Sequence, residues 1–309
     1  MVSSQPSPPA FESTSGMIPV IMNPGARSAR AGARLDDILA LSPRVELLET
    51  KGTGDACRLA EKLARDGAPL IVAAGGDGTV NEVVSGIVRA GAIGRTVLGV
   101  LPTGTMNVFA AELGISSGRL NEGWRAITEG QPREVDLWRL NGNYFVQLAG
   151  VGMDAAIIRE TTWESKKRWG PLSYILSGLK VLRRPAPMFT VSAPGHETVR
   201  GTAVLLGNGR NYGGPFPLFP KAVAGDGLLD VVVMPRLGMR DFYAVLRAML
   251  SGRYAPQRGV HYFQTPSLRV VADEPVAYET DGELAGEAAV LEFARHGSLM
   301  VMSATPAMP

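Results

Sequence analysis

The segment Ala73-Ala74-Gly75-Gly76-Asp77-Gly78-Thr79-Val80-Asn81-Glu82 constrains the fold more than any other stretch of the chain. The apolar run Pro69-Leu70-Ile71-Val72 before it reads as a short buried strand. Val80, Val83, Val84, Ile87 and Val88 after it recur at the spacing of one helical face. A strand that enters a helix through glycines makes a turn whose backbone N–H groups can approach phosphate oxygens at a helix N-terminus. Asp77 inside the turn would repel a bare phosphate, which points to a cation or a proton-transfer role beside it. The turn lacks the Gly-Lys-Ser/Thr ending of a Walker loop.

A second stretch has the same grammar. The strand Thr96–Leu101 runs into Pro102-Thr103-Gly104-Thr105-Met106-Asn107 and then an apolar-periodic helix over 106–113. Before these, Met17–Met22 and Val45–Leu48 read as strands and Ala29–Leu41 as a helix with Leu35, Ile38 and Leu39 inward. Asp55 is the expected cap of a helix that buries Leu59, Ala60 and Leu63. Strands and helices alternating at this pitch predict a parallel sheet covered by helices. Such a sheet gathers polar loops at the carboxyl ends of its strands, where one ligand can meet several of them.

The grammar changes near Gly130-Gln131-Pro132. Val135–Leu140 and Asn143–Leu148 flank Asn141-Gly142, a hairpin signal. Strand-like runs follow at Phe189–Ala193, Val199–Leu206, Leu228–Met234, Ser267–Val271 and Val276–Glu279, with helices expected only around 171–183 and 239–250. This predicts an α/β domain over 17–132 and a mainly antiparallel β-sandwich over 133–294. Residues 1–16, rich in Ser and Pro, are expected to be a disordered tail without the marks of a secretory signal.

Composition excludes several chemistries. Formal net charge is +2, so charge gives no case for nucleic acid. Cys57 is the only cysteine, which rules out an intrachain disulfide and a thiolate cluster, and His196, His261 and His296 have no ligand spacing. No apolar run is long enough to span a bilayer. A cytoplasmic protein is expected.

With both loops in hand, and with Asn23-Pro24, Lys221-Ala222-Val223-Ala224-Gly225-Asp226-Gly227-Leu228-Leu229-Asp230 and Asp281-Gly282-Glu283 in the same order, the chain resembles the diacylglycerol kinase catalytic family over most of residues 17–303. That family includes bacterial lipid kinases and sphingosine kinases and shares its GGDG loop with NAD kinases and phosphofructokinases. The resemblance implies an NAD kinase-like first domain to which residues after about 295 return. It also implies ATP and Mg²⁺ as cofactors and transfer of the γ-phosphoryl group to a lipid hydroxyl, diacylglycerol first.

Phosphoryl transfer needs phosphates held, their charge neutralised and the attacking oxygen aligned. Gly75, Gly76, Asp77, Gly78, Thr79, Val80 and Asn81 are the expected phosphate loop; Thr79 and Asn81 could donate to phosphate or cap the helix. Thr105 and, by resemblance, Thr50 are further nucleotide contacts, although Thr50 reads equally as a surface-loop residue. The family pattern has an aspartate where this chain carries Val108. Asp226 before Gly227 reads either as a β-turn or as a cation ligand. The resemblance assigns a structural Mg²⁺ to the Val223 carbonyl, the Asp226 carboxylate and the Leu228 carbonyl, with Asp230 extending the acidic network. It assigns the general base to Glu283, with Asp77 assisting Mg-ATP binding or proton relay.

Two rival readings are an NAD kinase and a non-catalytic lipid- or nucleotide-binding regulator. The expected partner is a lipid at a membrane surface, with a homodimer left open. Trp163, Lys166, Lys167, Arg168 and Trp169, ahead of a helix carrying Leu172, Ile175, Leu176, Leu179 and Leu182, suit peripheral contact with an anionic surface. The leucines read rather as a face packed on the sheet, which leaves membrane contact to Trp163, Lys166, Lys167, Arg168 and Trp169.

Overall fold

The structure, a computed structural model, describes residues 16–24, 36–161, 172–183, 185–214, 216–236, 238, 243, 247 and 260–304. The Trp163–Trp169 cluster, the expected 239–250 helix apart from 243 and 247, residues 1–15 and the start of the Ala29–Leu41 helix lie outside the described residues.

The first half is built from β1 (Ile18–Met22), β2 (Val45–Glu49), α1 (Asp55–Arg65), β3 (Leu70–Gly75), α2 (Asp77–Arg89), β4 (Val97–Pro102), α3 (Val108–Glu112) and α4 (Leu120–Glu129). Its strands are parallel and ordered β4-β3-β1-β2. Alternation on the strands feeds two layers, as expected for a sheet buried on both faces. Ile21, Ile71, Ala73, Leu98 and Val100 meet Ala60 of α1 and Val83, Val84 and Ile87 of α2. Val20, Met22, Val72 and Leu101 meet Ile38 and Ile127 on the other side.

The second half contains β5 (Gln131–Leu140), β6 (Asn143–Phe145), β7 (Leu148–Gly152), α5 (Met153–Glu160), α6 (Leu172–Val181), β8 (Phe189–Ser192), β9 (Val199–Gly201), β10 (Ala203–Gly207), β11 (Leu229–Met234), β12 (His261–Thr265), β13 (Ser267–Thr280) and β14 (Glu283–Ser303). Pairing here is antiparallel, around a core of Trp138, Phe145, Phe189, Val231 and Phe293. The Trp138 indole N–H is satisfied by Asn208 Oδ1 at 2.9 Å, and the Asn208 amide donates to the Asp136 and Val146 carbonyls. One sheet runs through both halves, in the order β12-β11-β10-β7-β13-β14-β4-β3-β1-β2. The crossing is made by β14, whose Val301 pairs with Leu98 of β4 while the strand lies antiparallel along β5.

Several local expectations are corrected. Asp55 does not cap its helix: Gly54 is the cap residue at φ 84°, and Glu82 of α2 accepts the Gly54 and Ala56 N–H groups. Asn143–Leu148 is not one strand. The chain turns at Val146 and Gln147 because these amides, with that of Leu148, converge on the Asp281 carboxylate. Ser267–Thr280 is a single strand with a register shift between Val271 and Val276. The helices α4 and α5, the strands β7 and β12 and the first part of β14 were not anticipated. No described helix is long and apolar enough to cross a membrane.

Candidate functional site

The carboxyl ends of β1 to β4 form one edge of the parallel sheet. In the order β4-β3-β1-β2 the direction in which successive strands are added reverses between β1 and β3, so the crevice of this edge opens beside the loop that follows β3. Gly75 and Gly76 lie there, and α2 begins at Asp77 with no side chain capping its first turn. Amides left open in this way favour an anion at the helix start.

The glycines of the two loops touch. A Cβ on Gly104 would sit 2.4 Å from Gly76 Cα and 2.7 Å from Asn107 Oδ1. Thr103 and Gly104 donate their N–H groups to the Gly75 carbonyl, at 3.0 and 3.3 Å. Asn107, buried at φ 48°, closes the second loop by accepting from Gly104 N–H and donating to Gly104 O and Ser117 Oγ. Asp77 completes the weld, its Oδ1 accepting the Phe109 N–H of α3 at 3.1 Å. Burial pushes the Asp77 carboxyl up, against the pull of the amides of Phe109, Val108, Asp77 itself and Asn107. Gly104→Ala is therefore expected to cost about 1–3 kcal/mol in denaturant unfolding, since the new methyl meets backbone rather than a mobile side chain. Gly52→Ala, with nothing within 4 Å of the added methyl, is the matched control; equal midpoints for the two variants would contradict the packing argument.

The remaining sequence-predicted residues fall into three groups. Thr79 is buried with its side chain against Gly75, where a Cβ on the glycine would lie 2.3 Å from Thr79 Cβ. Val80 belongs to the core. Thr50 is buried just past β2, its N–H bound to the Met22 carbonyl, while Thr105 is exposed at the crest of the second loop. Asn81 lies a turn inside α2 and caps nothing; its amide donates to Tyr144 O at 2.8 Å and Asp281 Oδ2 at 2.9 Å. It ties the phosphate-loop helix to the second half.

Asp281 is the hub of that tie. With Gly282 it forms the two-residue turn of the β13–β14 hairpin, at φ 49° and 85°. Its side chain is buried and accepts from Asn81, Val146, Gln147 and Leu148. Burial raises its carboxyl to about 6, the Asn81 and backbone donors pulling the other way. The next residue but one, Glu283, is thereby swung over the first loop. A Cβ on Gly78 would lie 3.3 Å from Glu283 Oε1. The exposed carboxylate of the second half thus faces the start of α2 from across the crevice.

The Val223–Leu228 segment is a turn. Asp226 N–H donates to the Val223 carbonyl at 3.2 Å, and Asp226 Oδ1 accepts the Leu228 N–H at 2.9 Å. Asp136, wholly buried, holds the turn by accepting Gly227 N–H while pairing with Arg295. Burial raises the Asp226 carboxyl, and Asp136 adds to the effect. Asp230 is buried and accepts from Tyr262 and Gln264. Among the described residues no three His, Cys, Asp or Glu side chains converge as a metal cluster. A cation here would rest on the Asp226 carboxylate and the Val223 and Leu228 carbonyls. This oxygen-only set fits Mg²⁺, and a cation would relieve the charge that Asp226 and Asp136 share.

Asp281 and Asn107 organise the site, and sequence reasoning gave neither that role. The local signal for both is a non-glycine residue in a glycine-like turn position, Asp281 before Gly282 and Asn107 before a helix.

Comparison with known proteins gives a consistent picture. The family profile "Diacylglycerol kinase catalytic domain" matches residues 17–140, and "YegS C-terminal NAD kinase beta sandwich-like domain" matches residues 147–303. A diacylglycerol kinase of Bacillus subtilis (strain 168) is 31% identical over 241 residues, covering 77% of this chain and 78% of its own length. A probable lipid kinase YegS-like of Pseudomonas aeruginosa (strain PAO1) is 33% identical over 232 residues, 74% of this chain and 75% of its own. The crystal structure of a putative diacylglycerol kinase from Bacillus anthracis str. Sterne shares the fold with a TM-score of 0.76 at 24% identity, over 94% of this chain and 98% of that one.

Proposed function

The chain belongs to the diacylglycerol kinase catalytic family and is a lipid kinase, and from that premise we propose that it transfers the γ-phosphoryl group of ATP, with Mg²⁺, to the free hydroxyl of diacylglycerol, giving phosphatidic acid. The observation that carries the reading is the Glu283 carboxylate set over Gly78 at the start of α2.

In this reading the amides of Gly76, Asp77 and Gly78 receive the terminal phosphates, with Thr105 and Thr50 toward the rest of the nucleotide. Asp77 keeps the two loops at one spacing through the Phe109 amide and stands beside Mg-ATP. Glu283 accepts the proton of the acceptor hydroxyl as its oxygen bonds to the γ-phosphorus and the bond to the ADP oxygen breaks. Val223, Asp226 and Leu228 would hold a Mg²⁺ whose charge would firm the turn; Asp136 and Arg295 hold that turn in place. The acceptor enters from a membrane surface by peripheral contact, and exposed Leu284 next to Glu283 gives its acyl part an apolar neighbour.

The deciding assay incubates purified protein with γ-labelled Mg-ATP and a panel of diacylglycerol, other lipid alcohols and NAD. Label in phosphatidic acid is expected. Label only in NADP would turn the reading to an NAD kinase, and no label in any acceptor would turn it to a binding regulator.

A further inference from the structure

Behind the Glu283 turn lies a cluster of ionisable groups that the transfer chemistry does not use. Glu279 of β13 is completely buried and pairs in register with Gly150 of β7. Asp154, in the first turn of α5, stands directly over that glycine: a Cβ on Gly150 would fall 2.2 Å from Asp154 Oδ2. The missing side chain at Gly150 is the space in which the two carboxyls meet. Tyr212 closes the cluster, its ring edge-on to Phe219 at 6.1 Å.

The hydrogen-bond inventory of the cluster is short by one proton. Glu279 Oε2 accepts the Gly282 N–H at 2.8 Å, but Glu279 Oε1 is buried with no hydrogen-bond partner among the described residues. Two ionised carboxylates cannot bond to each other, and stranding a buried oxygen is costly. One proton placed between them removes the deficit. Burial drives the Glu279 carboxyl well above its ordinary range, Asp154 raising it further, and burial raises the Asp154 carboxyl too. The proton lies between Glu279 Oε1, otherwise without a partner, and Asp154.

We propose that Glu279 and Asp154 are a proton-sharing positioning pair that holds the Asp281–Gly282 turn, and with it Glu283, at its setting over the Gly78 loop. Protonated Glu279 donates to Asp154 through one oxygen and grips the Gly282 amide with the other. Its effect on turnover rests on the kinase reading; its effect on the turn does not. The groups facing Glu279 are Asp154 from α5, Tyr212 from the segment after β10 and Asp281 from its own turn. β7 offers Gly150 there, and β6 and β8 bring no charged side chain. On β14, Glu283 lies beyond the turn and Glu287 is paired with Arg159 of α5.

Glu279→Gln and Glu279→Leu separate this role from bulk packing. Glutamine reproduces the protonated acid, its amide donating to Asp154 and its carbonyl accepting from Gly282; leucine does neither. Hydrogen exchange of peptides covering 280–285, corrected for intrinsic pH dependence, should accelerate at least tenfold in Glu279→Leu and stay within threefold of wild type in Glu279→Gln. Phosphoryl transfer should follow: kcat down at least tenfold with nucleotide KM within twofold for leucine, and rescue to within threefold for glutamine. Wild type should also lose turn protection and kcat on the alkaline side, as the pair gives up its proton, while Glu279→Gln should not. Wild-type exchange in Glu279→Leu, or an alkaline loss of turn protection equal in wild type and Glu279→Gln, would overturn the proposal. The second comparison stands even if the leucine variant does not fold. If no form of the protein transfers phosphate to any lipid, the kinase reading fails and the exchange contrast still decides the pair.

Discussion

Glu283→Gln is expected to lower kcat for lipid phosphorylation by about 10²–10⁴-fold, the range lost with a general base. The amide keeps the shape of the side chain but cannot take the hydroxyl proton. Stability should hardly move, because Glu283 is exposed and the bonds that fix its turn are made by Asp281 and Gly282. Nucleotide KM should also hold, since the loops after β3 and β4 make their contacts without it. The measurement is label transfer under saturating Mg-ATP, with a thermal scan on the same sample. A kcat within threefold of wild type would falsify the role assigned to Glu283.

Asp281→Asn is the second large effect, and it falls on stability. Four N–H groups converge on the two Asp281 oxygens, those of Asn81 and Val146 on one and those of Gln147 and Leu148 on the other. An amide nitrogen in either place accepts nothing, so two donors lose their partner, at about 1–3 kcal/mol each. A protonated carboxyl is more tolerant, because its hydroxyl oxygen still accepts. The difference between the two chains depends on pH with a definite sign. Burial pushes Asp281 up to about 6 in the folded chain from an ordinary value of 3.8, so the wild-type contribution is complete below 3.8 and is lost as pH rises through 6. That loss is on the order of 3 kcal/mol. Denaturant unfolding should therefore show Asp281→Asn least stable relative to wild type near pH 4, with the gap narrowing as pH rises to about 6 and level above that. A gap that widens with pH would mean that the four donors outweigh burial and that the carboxylate is held below its ordinary range.

How far the sequence foretold this arrangement depends on the range of the interaction concerned. The strand–turn–helix units around Gly75–Asn81 and Gly99–Ala110 were legible because short-range periodicity and glycines define them. The family resemblance extended that to the order of motifs. By contrast, β14 has an interrupted burial pattern over 21 residues, since it crosses from one half to the other and changes neighbours on the way. β7 is Leu148-Ala149-Gly150-Val151-Gly152, too rich in glycine to read as a strand, and its glycines are needed by Asp154 and Phe189. The bond from Asn81 to Asp281 spans 200 residues and leaves no local trace at either end. It diverts to architecture a side chain that local context offers to phosphate.

The run of β14 from Glu283 to Ser303 has a consequence for how this molecule can be divided. The cut that composition suggests, near residue 132, would leave the first half with β4 as a raw edge. The strand that covers it, at Val301, arrives from the β13–β14 hairpin of the second half. Neither half is a self-sufficient piece, and a nick in the connecting loops would leave two fragments still zipped together. A swing of one half against the other would have to bend β14, which pairs with β13 along its first part and with β4 at Val301.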